Sequence, residues 1–139
     1  MKLTLFTVEE ANRIVQEIRG LMERLVASRR DLERLQRRID VLELAVAGAT
    51  PGNADAQELE LALDQRRRLA DRLQRGLQSI HTRGALVKDL ERGLVDFYSI
   101  AGDRLIFLCW QLSEPEVSHW HPLEGGFASR QPLHRTGRE

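Results

Sequence analysis

The chain is poor in several things, and each shortage excludes something. Cysteine occurs once, at Cys109, so no intrachain disulfide can form, which fits a reducing compartment. No apolar run approaches the roughly 20 residues of a membrane-spanning helix. The opening Met1–Phe6 lacks the apolar core of a signal peptide. Neither sign of charge is in excess: Lys+Arg and Asp+Glu both total 21. That balance argues against a protein that coats nucleic acid over its whole surface, although a local patch survives within a neutral total. Aromatic residues are scarce, at 5% of the chain, as a coiled-coil arm requires. The expectation is a soluble, cytoplasmic protein without a membrane partner.

What is present is charge and aliphatic periodicity. With 30% charged and 42% hydrophobic residues the chain folds rather than staying disordered. Its 139 residues suit one domain, or a helical arm carrying a small module. Ile14, Ile18, Leu21, Leu25, Ser28, Leu32, Leu35, Ile39, Leu42 and Val46 alternate in steps of four and three, a heptad seam broken only by Ser28. Thr7 with Glu10 three residues on is a capping box, and Phe6 before it can act as a staple on Ala11. A helix of about 40 residues follows, about 60 Å long. Ala49-Thr50-Pro51-Gly52-Asn53 reads as a turn, with Asn53 or Asp55 capping the next helix.

The second helix is expected from about Ala54 to Glu91, with a weaker seam through Leu59, Leu63, Arg66, Ala70, Leu73, Leu77, Ile80, Gly84 and Val87. A short connection makes the two helices antiparallel neighbours. Gly76 and Gly84 either permit close backbone approach or mark a bend or break in the helix. Arg92-Gly93 is a helix stop. The pattern then changes to strands: 94–98, then 104–112, apolar on both faces and therefore central, then 117–121. The fold class is α+β: a short N-terminal strand or extended entry at Leu3–Phe6 and a long antiparallel two-helix coiled-coil hairpin (together 1–93), with a small antiparallel β module (94–133) at its open end and a disordered tail (134–139). Val15, Met22 and Val26 lie beside the first seam and leave apolar surface that a homodimer through the hairpin would bury.

The residues with chemistry concentrate in the β module. His119 and His121 are two apart in a strand, leave the same face and can fill two positions of a divalent metal's coordination sphere. Asp96, Cys109, Glu114, Glu116 and Glu124 are the remaining candidates. A four-residue loop at Ser113–Glu116 puts Trp110 opposite His119, and Cys109 opposite Trp120 on the other face. A loop at Ser99–Asp103 puts Asp96 opposite Ile106, on the histidine face but about 10 Å away. The alternative for the histidines is a structural role beside Trp110. Glu114 and Glu116 suit acid–base work if buried together and are solvated turn residues otherwise. Cys109 reads as an inert core thiol. Gly125-Gly126-Phe127 with Arg130 resembles an anion-binding nest, or a plain turn.

The candidate site is therefore a ligand group of Asp96, Trp110, Glu114, Glu116 and Arg130 with a metal pair, His119 and His121. The function it indicates is a non-enzymatic binding or scaffold protein, with a protein partner as a further option. Arginines at 29, 30, 34, 37 and 38 lie beside those at 66, 67, 68, 72 and 75 in such a hairpin. They make either an ion-paired surface, with contacts such as Glu33–Arg37, or a phosphate-binding belt for RNA or DNA. The interspersed acids favour the first, so nucleic acid is the weaker alternative. A metal-dependent enzyme is the third, with no complete nucleophile or acid–base set visible.

Three segments carry a family resemblance: Phe6-Thr7-Val8-Glu9-Glu10-Ala11-Asn12, then Val87-Lys88-Asp89 through Gly93-Leu94-Val95-Asp96-Phe97, then Cys109-Trp110-Gln111-Leu112-Ser113-Glu114-Pro115-Glu116 continuing to Trp120-His121, Gly126-Phe127 and Arg130. Together they resemble a bacterial domain-of-unknown-function family, number twenty-two-oh-three. Ser113 stands where that family usually has Gly, and Tyr98 where it usually has Pro. The resemblance implies no reaction, cofactor or partner, but its motifs concentrate in the β module.

Overall fold

The computed structural model describes residues 3–48 and 53–133. The turn expected at 49–52 and the tail expected at 134–139 lie outside the described residues. Helix α1 spans Val8–Val46 and opens with the expected capping box: Thr7 and Glu10 each accept a hydrogen bond from the other's backbone N–H. Helix α2 spans Ala54–His81, capped by the Asn53 side chain on the Ala56 N–H. Strands follow at Leu86–Asp89 (β1), Leu94–Ala101 (β2), Arg104–Gln111 (β3), His119–Pro122 (β4) and Gln131–Pro132 (β5), with one 3-10 turn at Phe127–Ser129. They form an antiparallel sheet in chain order.

The second helix is shorter than its periodicity predicts. It stops at His81, and the stretch expected to be its last turns contains β1 instead. Gly84 sits at φ +90°, and the Arg83 and Gly84 N–H groups bond back to Ile80 and His81 in tightening turns. A Cβ at Gly84 would lie 2.8 Å from the Phe6 ring. Gly84 therefore ends the helix and lets the β module close onto the start of α1. Gly76 remains helical and permits close approach of the two helices, since a Cβ there would lie 2.5 Å from Leu25 Cδ2.

The main core joins both helices to one face of the sheet. Ala11, Val15, Ile18, Met22 and Leu25 of α1 and Ile80 of α2 pack with Val95, Phe97, Ile106, Leu108 and Trp110. A second cluster, Ile39, Leu42 and Ala62, lies nearer the hairpin turn. Val15, Met22 and Val26 are thus buried within the chain, at 1%, 0% and 8% exposure, which removes the apolar surface on which the expected dimer rested. The sheet face covers Val15 and Met22, and sequence periodicity along α1 alone does not reveal that second cover. The exposed large aliphatics of the arm are instead Val41, Leu44 and Leu61.

The connection 112–118 is tied to α1. Arg19 donates to the carbonyls of Leu112, Glu114 and Pro115, the last at 2.7 Å, and its guanidinium lies 5.2 Å from the Trp110 ring centroid. Asn12 Oδ1 accepts from the Val117 N–H at 2.7 Å, and Trp110 Nε1 donates to the Glu114 carbonyl. A tight hairpin turn cannot reach these partners, so the connection is longer than the expected four-residue loop and the register moves with it.

Gly84→Ala should lower stability by about 2 kcal/mol or more, from the left-handed backbone and the crowding on Phe6. Chemical denaturation checks this. A loss under about 0.5 kcal/mol, the usual range of a neutral surface change, would contradict the proposed role of Gly84.

Candidate functional site

Two odd shifts of register build the site. Asp96 pairs with Cys109 rather than Ile106, because β2 and β3 join through a tight turn at Gly102. His119 pairs with Cys109 rather than Trp110, and His121 with Phe107, because of the longer 112–118 connection. An odd shift moves every side chain of a strand to the other face. Cys109 therefore joins the histidines instead of opposing them, and Trp110 leaves them for the helix-facing core, where it is fully buried. Because β2 shifted as well, Asp96 stays on the histidine face.

On that face Cys109 is short and lies between two longer side chains from the flanking strands. Asp96 and His121 meet across it: Nε2 lies 2.9 Å from Asp96 Oδ2, with both side chains nearly inaccessible. The Phe107 ring stacks obliquely on the imidazole, centroids 5.3 Å apart. His121 Nδ1 lies 2.8 Å from the Pro122 carbonyl oxygen. A carbonyl has no proton to give, so Nδ1 is the donor and the ring orientation is set. Nε2 then faces the Asp96 carboxylate and the Cys109 thiol. One donor atom from each of Asp96, Cys109 and His121 lies within 4.8 Å of the other two.

The setting of Cys109 opposes ionisation of its thiol. Burial pushes its thiol up to about 12, the Asp96 carboxylate adds to the rise, and Arg130 pulls the other way. The order of contacts is also wrong for a cysteine–histidine pair, since both imidazole nitrogens already have oxygen partners. Cys109 is buried, as expected of a core cysteine, but it is not isolated, because it sits inside a polar group.

A second polar cluster adjoins the first. Glu114 is half-buried rather than solvated: its Oε1 accepts from the Gln111 N–H and from Arg130 Nη2, both at 2.7 Å. His119 turns toward this cluster, with Nδ1 3.4 Å from Glu114 Oε2 and 3.0 Å from Ser118 Oγ. Arg130 also reaches the Cys109 carbonyl at 3.3 Å, and its Nε is buried without a partner among the described residues. Burial opposes its charge, but the hydrogen bond and charge of Glu114 outweigh that and raise its pKa further. The Asp96, Cys109 and His121 donors open onto a cleft of about 130 Å³, walled by Leu94, Phe107, Leu123 and the Gly125–Phe127 segment, with Lys88 at its rim. Gly125 and Gly126 are mainly a turn: the Gly125 N–H bonds to Pro122, and the Gly126 carbonyl accepts from Ser129.

Of the sequence candidates, the structure brings Asp96 to His121, and Glu114 to Arg130 and His119. It leaves Glu116 and Glu124 exposed. Cys109 is the residue that sequence reasoning placed on the wrong face. Its alternation with Leu105 and Phe107 was visible, but which neighbours faced it depended on the register.

On the arm, five of the ten clustered arginines pair with acids. Arg29 pairs with Glu33 at 3.2 Å, taking the carboxylate expected for Arg37; Arg34 pairs with Asp31, Arg38 with Glu58, and Arg67 and Arg68 share Asp64. No described helix is long and apolar enough to cross a membrane.

The fold and this donor group define an α+β helical-hairpin protein whose antiparallel sheet carries a buried carboxylate, thiol and imidazole. The chain belongs to the family described as Uncharacterized conserved protein (DUF2203), which matches residues 4–133. No curated protein and no solved structure matches the chain.

Two outcomes follow for metal-free protein. Native Cys109 should not react with a thiol reagent at neutral pH until the protein unfolds. Stability should also fall as pH rises from about 9, where an unfolded thiol ionises, toward about 12, where the native one does. Over that range the unfolded chain has lost a proton that the folded chain retains, so the sign is a loss. Cys109→Ala should flatten this part of the pH–stability curve.

Proposed function

We propose that this protein is a non-enzymatic binding or scaffold protein whose β module holds a divalent metal, best Zn²⁺, on Asp96, Cys109 and His121. The observation that carries this reading is the convergence of three buried donors of different chemistry within 4.8 Å. A thiolate, an imidazole and a carboxylate together suit a borderline-soft ion such as zinc. Donor atoms around a tetrahedral zinc stand roughly 3.3–3.6 Å apart, which follows from bond lengths of about 2.0–2.3 Å, so pairs as wide as 4.8 Å would close by about 1 Å while His121 Nε2 and Asp96 Oδ2, at 2.9 Å, would move slightly apart. The His121 Nδ1–H bond to the Pro122 carbonyl is the outer contact that a metal-binding imidazole usually makes, and it leaves Nε2 for the ion. The proton between Nε2 and Asp96 and the proton on the thiol are what the ion would displace.

Compared with the sequence expectation, the proposed ligands keep His121, take Asp96 as a direct ligand and replace His119 with Cys109. His119, Glu114 and Arg130 form the polar flank of the site, while Trp110 packs behind the sheet. An enzyme reading gains no support, since burial opposes ionisation of the thiol and the cleft-lining Asp96 and His121 are paired with each other.

Elemental analysis of untagged protein should find close to one zinc per chain. Cys109→Ser keeps a hydroxyl beside Asp96 but removes the soft ligand, and should weaken zinc binding by about 100-fold. His121→Ala should abolish it, but leaves Asp96 buried without its partner at a cost of about 3–5 kcal/mol. The serine variant is therefore the cleaner test. Zinc affinity should also fall as pH drops, because protons compete for all three ligands. Protein free of metal, whose melting does not change on adding zinc, manganese or nickel, would overturn the reading.

A further inference from the structure

We propose that the cleft in front of Asp96, Cys109 and His121 takes a small aliphatic carboxylate, one oxygen at the open position of the bound metal and its charge facing Lys88. This rests on the metal reading above and adds the class of ligand. Three protein ligands leave a tetrahedral ion one position short, and the donors line an open cleft. With carboxylate and thiolate bound, a divalent ion is neutralised, so the cations around it keep their full charge. Lys88 lines the cleft, its Nζ 4.8 Å from the Phe107 ring centroid, and forms no ion pair among the described residues. Arg92 lies 4.6 Å from the ring centroid of Phe127, another cleft residue, and is likewise without an ion-pair partner among the described residues. Glu114, the nearby acid, is engaged by Arg130 and His119. Among the described residues that line the cleft, Lys88 is the one permanent cation, and the one acid, Asp96, is taken up by the metal.

The walls select the rest of the ligand. Leu94, Leu123, Phe107 and Phe127 are apolar and suit a short hydrocarbon body. Gly125 and Gly126 present backbone without side chains, and a Cβ at Gly125 would collide with Ser129 Oγ at 2.0 Å. A volume of about 130 Å³ is close to the roughly 150 Å³ of a cavity that holds benzene, so a four-carbon acid has room. An inorganic phosphate would leave the apolar walls unfilled.

The test uses the full chain loaded with Co²⁺, whose visible spectrum reports the coordination sphere. Butanoate should change that spectrum saturably, and butanamide, of the same shape without the charge, should not. Lys88→Met should raise the butanoate Kd roughly tenfold, the size of one partly screened ion contact. Its melting curve and anion-free cobalt spectrum check that the variant is folded and loaded, and Lys88→Gln provides a second variant. If cobalt loads but butanoate leaves the spectrum unchanged, the inference is wrong while the metal reading stands. It is equally wrong if butanamide matches butanoate, if both lysine variants bind as wild type does, or if phosphate binds more tightly than butanoate. Failure of cobalt to load at all overturns the metal reading together with this one.

Discussion

The contact between His121 and Asp96 is the constraint around which the β module is arranged. Two ionisable side chains from strands on either side of β3 meet with almost no access to water. Burying such groups is costly unless each finds its partners, and removing one leaves the other stranded. Every neighbouring feature serves that requirement. Cys109 is small enough to let them meet, the Pro122 carbonyl takes the other imidazole proton, and Phe107 covers the ring. The Leu123–Phe127 segment then folds over this face of the sheet and forms the cleft.

The opposite face of the same strands has a different role. Val95, Phe97, Ile106, Leu108 and Trp110 form an apolar layer against both helices, so the near-continuous hydrophobic run of β3 is explained by cover on two sides, one apolar and one mixed. The helices act as a platform. Arg19 and Asn12 of α1 hold the 112–118 connection through its backbone, and that connection determines which residues of β3 face the histidines. The long helix therefore positions the site without lending it a side chain. A buried sheet face carrying polar groups is acceptable only if those groups are satisfied, and Arg130 Nε is the one buried side-chain atom among the described residues with no partner. It lies beside Cys109, where the charge balance would change most if a metal converted the thiol to a thiolate.

Much of the architecture was legible in the residues. The Thr7–Glu10 capping box, the heptad spacing from Ile14 to Val46 and the Asn53 cap are local signals, each depending on neighbours within a few positions, and the helices begin where they indicate. The strand character of 94–98 and 104–112 was visible in β-branched and aromatic content, whereas 99–101, read as loop, extend β2. The shared face of His119 and His121 was determined by the two-residue period of a strand, which no register alters. The family was legible as well, from short motifs spread along the chain.

The rest required the tertiary structure, because it depended on contacts between residues far apart in the chain. Periodicity ran on past Gly84, but the backbone there turns left-handed against Phe6, some eighty positions earlier, and the helix ends. Val15 and Met22 read as free surface because the sheet that covers them follows both helices in the chain. The register of β3 was the deciding unknown: a strand's side chains alternate, so a one-residue error exchanges its two faces, and turn length alone does not determine it. Two features placed Cys109 rather than Trp110 between Asp96 and His121: the tight turn at Gly102 and the 112–118 connection that Arg19 and Asn12 hold. The sequence by itself determined which residues carry chemistry and which helices build the arm. The three-dimensional packing decided which of those residues meet, because side-chain proximity across a sheet depends on register, and register here follows from a tight turn at Gly102 and from a connection held by a helix about a hundred residues away.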